Sequence, residues 1–373
     1  MRLLDRYLFR ELLTPLAYCI GAILILGTCF NLFGEMDELQ ERKLHLLDVL
    51  EYSAAITPEF LVMVLPITLL LALLYALTNH SRYNEITAMR AAGMSLWRIC
   101  TPYFVAGVIA SMTLFALNEF LVPRSTDWAN HILARYVQKP DDPSVQNEFR
   151  KFAFINSRSH RAWLIGEYRV RTAEMLKPQV NWNLPDGSSY QLNASRAIRT
   201  NGAWTFFDAT EYSQANTNAS LVPALQTNVL AMPQFDETPR QIQSEIKISS
   251  YQKLSATRKP DIPLADILGY LRLHPDLPRA DSGWLFTKFY GRLAAPWTCL
   301  VVVLIAIPFG AASGRRNLFV GVAGSIFVCF TYFVIQSLSL AFGQGGYLPP
   351  WLAAWLPNII FAVTGLFLMS RVR

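Results

Sequence analysis

The residues of this chain whose types and spacing suit a defined task lie in one short segment, Arg82 to Arg98, with the sequence RYNEITAMRAAGMSLWR. Ile86, Met89, Gly93 and Leu96 or Trp97 recur at intervals of three and four, the period that gathers side chains on one face of a helix. Arg82, Arg90 and Arg98 fall mostly off that stripe. Asn84 is placed to cap the start, and Glu85 sits in the first turn, where a carboxylate meets the positive end of the helix dipole. Gly93 weakens a helix interior by about 1 kcal/mol relative to Ala, which is tolerable where a partner backbone comes close or the helix bends. Pro102 then opens the next segment at a position that needs no amide donor. The chemistry of such a pattern is docking. Its acceptor is either a protein groove or the surface of a membrane, with the arginines toward anionic headgroups and Met89 and Trp97 in the acyl boundary. Spacing does not separate the two.

Catalytic and energy-transducing motifs are missing from the rest of the sequence. The five histidines, His45, His80, His131, His160 and His274, lack metal-ligand spacing. No G-x-S-x-G elbow or H-E-x-x-H motif occurs. A P-loop needs a Lys beside its last glycine to reach the terminal phosphate, and no Gly-Lys pair exists in the chain. This polypeptide is therefore not itself an ATPase. No basic and aromatic tract suggests nucleic acid, and the net charge of +6 reads as topology and lipid contact.

The elements that must carry the segment are membrane spans. Of 373 residues, 52% are hydrophobic and only 16% charged, a balance that points to a membrane protein. Crossing roughly 30 Å of hydrocarbon takes about 20 apolar residues. Runs of that length lie near Leu12 to Phe33, Pro58 to Thr78, Pro102 to Val122, Phe289 to Phe309, Leu318 to Phe342 and Trp351 to Met369, three on each side of a polar stretch. Arginines set the orientation, because positive residues near a span resist translocation. Arg2, Arg6, Arg10, Arg82, Arg90, Arg98, Arg315, Arg316, Arg371 and Arg373 share one side, which predicts both termini in the cytoplasm. Arg2 to Arg10 is not the leader of a cleaved signal peptide, since the span that follows is full length and lacks a small-residue cleavage site.

An ion-driven transporter usually places Asp, Glu, Lys, Arg or His near the midplane. These cores hold only Asn31, Gln336 and Asn358. Glu59 and Glu119 read as interfacial carboxylates, and Gln336 as a hydrogen-bonding group between helices. Pro296 and Pro308 read as helix-shaping residues. Arg292, at the outer end of the fourth span, suits either a lipid phosphate or a snorkelling position. Any pump built on this chain needs an external source of energy.

The polar stretch reads as an outer domain of strands: RAWLIGEYRV from Arg161, SSYQLNASRAIRT from Ser188 and GAWTFFDATEY from Gly202. Pro185-Asp186-Gly187 and Asn201-Gly202 supply the turns, because type I′ hairpins demand positive φ at both central residues. A sandwich, jelly roll or barrel fits that spacing, and a helical pattern around Pro263 to Leu273 leads back to the membrane. All five cysteines, Cys19, Cys29, Cys100, Cys299 and Cys329, fall in or beside the spans, so the outer domain is held by its core, including Trp163, Trp182, Trp204 and Phe206. The boundaries expected are residues 1–122 for three spans with the segment 82–98, residues 123–284 for the outer domain, and residues 285–373 for the last three spans.

Two stretches resemble a known family. Asn84-Glu85-Ile86-Thr87-Ala88-Met89-Arg90-Ala91-Ala92-Gly93, following a span with Leu65-Pro66, is similar to the cytoplasmic loop of the LptF/LptG permeases of lipopolysaccharide export. FYGRLAAPWTCLVVVLIAIPFG, from Phe289 to Gly310 and followed by Arg315-Arg316, resembles that family's fourth span. Ala194, Gly202-Ala203-Trp204 and the three-plus-three arrangement extend the resemblance over nearly the whole chain. Asp5-Arg6-Tyr7, Gly346 to Pro350 and Leu356-Pro357-Asn358 look closer to LptG than to LptF.

The resemblance implies a bacterial inner-membrane protein: six transmembrane helices with an inserted periplasmic all-β jellyroll. It implies a partner of the same family, or a second copy, around a lipid cavity, and an LptB-like cytoplasmic ATPase dimer beneath, which binds the ATP and magnesium; no cofactor belongs to this chain. LptC-like and LptA-like periplasmic components would receive the lipopolysaccharide. The segment Glu85 to Gly93 becomes a coupling helix, with Glu85, Ile86, Met89, Arg90 and Gly93 at the ATPase. Where the family has lysines at the outer end of the first helix, this chain has the acidic stretch Gly34 to Glu41, leaving Arg42, Lys43 and Arg292 as candidate headgroup contacts. Two other classes stay open on the residues alone: a membrane-anchored β domain acting as scaffold or sensor, and a membrane enzyme acting on lipid.

Overall fold

The computed structural model describes residues 3–36, 45–134, 148–169, 172–183, 188–200, 202–214, 222–253, 262–274, 279–310 and 318–371. The chain divides into two compact units, one of Met1–Ala129 with Pro278–Arg373 and one of Asn130–Leu277.

The first unit is helical. Its long elements are α1 (Leu3–Gly34), α2 (Leu46–Arg82), α4 (Leu96–Ala116), α8 (Arg279–Ala294), α9 (Thr298–Gly310), α10 (Leu318–Gln344) and α11 (Pro350–Arg371). Between α2 and α4 lies the seven-residue α3 (Glu85–Ala91), and a π-helical turn, Leu117–Leu121, links α4 to α5 (Val122–Ala134). Among the described residues, five helical stretches are long and apolar enough to cross a membrane, and α10 covers the sixth expected span with 27 residues. Their outer surfaces stay apolar: Phe30, Ile25, Phe327 and Phe330 are all exposed, as a lipid-facing surface requires.

Inside this unit Leu8 and Leu12 of α1, Leu69, Leu73 and Leu77 of α2, Cys100 and Tyr103 of α4, and Cys299, Val303 and Ile307 of α9 form one buried cluster. Lipid tails are as apolar as these side chains, so close packing rather than water exclusion holds the helices, and small residues mark the crossings. A Cβ on Gly107 would stand 2.7 Å from Val303, and one on Gly310 would stand 2.5 Å from Leu77, which brings α4 and α2 against α9. Pro296 lies in a 3-10 turn, Ala295–Trp297, between α8 and α9, consistent with a shaping role.

The second unit is one antiparallel sheet with two helices. Its strands are β1 (Glu148–Asn156), β2 (Arg161–Arg169), β3 (Glu174–Asn183), β4 (Ser189–Asn193), β5 (Arg196–Thr200), β6 (Ala203–Gln214) and β7 (Val222–Met232). The three strand runs read from the sequence correspond to β2, to β4 with β5, and to β6. Gly202 has φ +83, as its hairpin requires, and the Pro185-Asp186-Gly187 turn lies outside the described residues. β4 and β5 act as one interrupted strand between β3 and β6, and with that the pairing follows chain order, giving an up-and-down arrangement.

A crease crosses four strands of this sheet. Buried positions alternate as Trp163 and Ile165 and then shift to Tyr168 in β2; they run Met175 and then Pro178 and Val180 in β3, and Trp204 and Phe206 and then Ala209 in β6. The shifts fall at Gly166, at Lys177 with φ +49, at Ala194-Ser195, and at Asp208 with φ +50. These sites are neighbours: Lys177 N donates to Ser195 O at 2.9 Å, and Ser195 Oγ donates to Asp208 Oδ2 at 2.8 Å. The alternation slips by one residue at the same level in each strand, with left-handed backbones at Lys177 and Asp208, so the pairing keeps its register and the same sheet face stays inward on both sides of the fold line. That face packs Trp163, Trp204 and Phe206 around Phe235, with Ile242 and Ile246 of α6 (Pro239–Lys253) in the same core. Burying each such side chain contributes roughly 1.5–3 kcal/mol. Arg161 clasps the returning chain through Gln234 O and Asp236 Oδ1, each at 2.7 Å, and Trp204 Nε1 donates to Glu237 O at 2.7 Å.

A buried carboxyl–imidazole pair lies in this unit. Glu245 of α6 has Oε1 3.2 Å from Nδ1 of His274, which follows α7 (Leu264–Leu273). Burial pushes the Glu245 carboxyl up to about 8. Burial also lowers His274, against the opposing effect of hydrogen bonds to the Tyr270 and Ile155 backbone. Both shifts favour the uncharged forms.

Candidate functional site

The docking segment is not the single helix expected from Arg82 to Arg98. α2 ends at Arg82, Asn84 takes φ +57, α3 runs only from Glu85 to Ala91, Gly93 takes φ +86, and α4 begins at Leu96. Gly93 therefore sits beyond the helix C-terminus, at a left-handed residue, where glycine stops a helix without a Cβ penalty. Its role is to end α3 rather than to soften its interior. Asn84 makes no side-chain cap, because a left-handed Ncap backbone does not turn its amide oxygen onto the first helical N–H groups. The cap that exists is Ser95 on α4, whose Oγ accepts from Arg98 N at 3.3 Å. Pro102 consequently lies inside α4, not at its start.

These two joints turn the apolar stripe inward. Ile86 is 4% exposed in the helical cluster, and Met89, Met94 and Leu96 pack against the same cluster. The face left open is small: Thr87, Ala88, Ala91, Ala92 and Gly93 are exposed, with Arg90 half-buried beside them. Trp97 is exposed as well and stacks on Phe104 with 6.0 Å between ring centroids.

Glu85 points into a polar cluster of its own chain. Its Oε2 lies 2.7 Å from His80 Nδ1 in the last turn of α2, and Tyr7 OH of α1 donates to its two carboxylate oxygens at 3.3 and 3.2 Å. The Tyr7 and His80 rings meet edge to face at 5.8 Å. Nearby, Arg98 Nη2 of α4 pairs with Asp5 of α1 at 2.9 Å. Sequence reasoning singled out Glu85 but passed over His80 and Tyr7. The signal available was thin: His80 is five residues before Glu85, a spacing that brings them together only because the chain turns at Tyr83-Asn84.

The lipid-contact candidates fall differently. Arg42 and Lys43 lie outside the described residues. Arg292 is 9% exposed, with Nη1 3.2 Å from Asn118 O and 3.4 Å from Glu119 Oε2. Both partners belong to the π-helical turn, whose altered hydrogen-bond ladder offers a carbonyl to an outside donor. Further along, Thr298 Oγ1 and Tyr332 OH lie 2.8 Å apart, Tyr332 OH donates to Asn358 Oδ1 at 2.8 Å, and Asn358 Nδ2 donates to Ala294 O at 2.9 Å. Asn358 thus takes a carbonyl at the 3-10 break and ties α8, α9, α10 and α11 together. The break lies within the family-like stretch that contains Pro296.

A family model described as lipopolysaccharide export system permease LptF/LptG matches residues 6–371. The chain belongs to the LptF/LptG family. It is accordingly a permease of the lipopolysaccharide export system, from an inner-membrane family. The matching model covers LptF and LptG together, so the match does not divide the two. A search of curated proteins finds no match.

Proposed function

We propose that this LptF/LptG permease is the membrane-spanning subunit of an ATP-driven exporter that draws lipopolysaccharide out of the inner membrane and delivers it to a periplasmic bridge. The observation that carries the reading is α3: a short helix between two left-handed joints, presenting a face of small side chains at the arginine-rich end of the bundle. Small residues allow a partner surface to approach the helix backbone closely. That partner is an LptB-like ATPase dimer, which holds the ATP and magnesium; this chain needs no cofactor. Met89, Arg90 and Gly93 lie at the contact, Glu85 at its edge, and Ile86 anchors the helix from within the bundle.

In this reading the termini and α3 are cytoplasmic and the β unit is periplasmic, in accord with the arginine distribution. A family paralogue or second copy completes the lipid cavity. The β unit passes the lipid to LptC-like and LptA-like components. Arg292, tied to Glu119 and the Asn118 carbonyl, is assigned to packing; Arg42 and Lys43 remain the headgroup candidates.

The test is reconstitution. The chain with its paralogue and the ATPase, in proteoliposomes containing lipopolysaccharide, should release lipid only with ATP. Glu85→Arg should abolish that release while the chain still inserts. Full ATPase association and full export by that variant would refute the docking assignment, and the absence of any ATP-dependent release from the intact assembly would favour a scaffold.

A further inference from the structure

The geometry points to His80 and Tyr7 as positioning residues that clamp Glu85, so that α3 moves together with the ends of α1 and α2. This rests on the coupling reading above. The backbone alone does not make such a connection. Asn84 and Gly93, with φ +57 and +86, interrupt the helical hydrogen-bond ladder on either side of α3, and a short helix between two such residues is free to swing about them. What fixes its orientation is side chains. Ile86 supplies the apolar anchor, and Glu85 supplies the polar one.

The polar anchor is specific. His80 is 2% exposed, and its Nδ1 faces a carboxylate oxygen at 2.7 Å, so that nitrogen carries the proton and donates it. Tyr7 OH donates to the same carboxylate from a different helix. One carboxylate therefore gathers donors from α1 and α2, and charged acceptors make the stronger hydrogen bonds. The Asp5 to Arg98 pair adds a second tie, between α1 and α4. A push on α3 is delivered through Glu85 into two membrane helices at once. Glu85 keeps 34% of its side chain exposed, which leaves it accessible from outside while the clamp is closed.

The test uses the assembled permease and ATPase in proteoliposomes containing lipopolysaccharide, and reads lipid released per ATP hydrolysed. Tyr7→Phe removes one hydroxyl, and His80→Leu removes the buried donor; each should lower the ratio by about fivefold or more, the size of a modest coupling free energy. His80→Gln keeps an amide donor and should recover much of the loss, which a purely space-filling role for the imidazole would not produce. Tyr7 is 41% exposed, so Tyr7→Phe still decides the matter if His80→Leu does not fold. Wild-type ratios in both Tyr7→Phe and His80→Leu, with the ATPase bound, would overturn the clamp alone. A wild-type chain that captures no ATPase would overturn the clamp and the coupling reading together.

Discussion

Replacing Glu245 with glutamine should stabilise the β unit, and should do so more strongly at neutral pH than in mild acid. The carboxyl is 5% exposed, lies 3.2 Å from His274, and has its pKa lifted by burial from 4.5 to about 8. A carboxyl whose folded pKa exceeds its unfolded value binds more protons in the folded state. Its contribution is therefore fully present below the unfolded value and is lost as pH rises toward the folded one. Near pH 7 the folded form must take up a proton that the unfolded chain has released, at a cost of about 3 kcal/mol; near pH 5 the cost falls to about 1 kcal/mol. Glutamine has the same shape and no proton to acquire. Hydrogen exchange of peptides from β2 and α6, followed in the full-length protein, should slow by about a hundredfold near pH 7 and by less than about tenfold near pH 5. His274 acts in the opposite direction: its lowered pKa makes protonation costly in the folded state, so stability also falls as pH drops below its ordinary value of 6.5. The variant should keep this acid arm and lose the alkaline one. Equal or faster exchange than wild type at both pH values would refute the argument, because it would mean that Glu245 is held as a useful charge.

Gly93→Ala places a Cβ on a residue at φ +86, a strain of about 1 kcal/mol, and removes the stop that separates α3 from α4; lipid released per ATP in the reconstituted assembly should fall, while thermal unfolding in detergent shifts by only a few degrees. Asn358→Ala should cost about 1–3 kcal/mol by leaving Tyr332 OH and Ala294 O without their buried partner, and a double-mutant cycle with Tyr332→Phe, read by thermal unfolding, should show clear non-additivity; additive losses would mean that the network does not act as a unit.

How much of this was legible beforehand depended on the range of the interaction. The strands containing Trp163 and Trp204 announced themselves through alternation and the Asn201-Gly202 turn, because both signals are local. The crease did not, since Lys177 and Asp208 are ordinary residues whose left-handed backbones are imposed by their neighbours across the sheet. Pro102 was misplaced for a related reason: Ser95 caps α4 earlier than the proline suggests. Arg292 suited either a lipid phosphate or a snorkelling position, and its contacts with Asn118 O and Glu119 could not be read beforehand, because those residues lie 174 and 173 positions away in the chain.

By itself the sequence determined the apolar spans, the clustering of arginines beside them, the inserted β unit and the family. Each of these is encoded in composition or in a short contiguous motif. Only the tertiary structure decided which way the loop around Glu85 faces. Two left-handed residues, Asn84 and Gly93, turn Ile86 into the bundle and bring Glu85 under His80 and Tyr7, residues 5 and 78 positions away in the chain. A helical wheel assumes one continuous axis, and that assumption fails where the backbone changes hand.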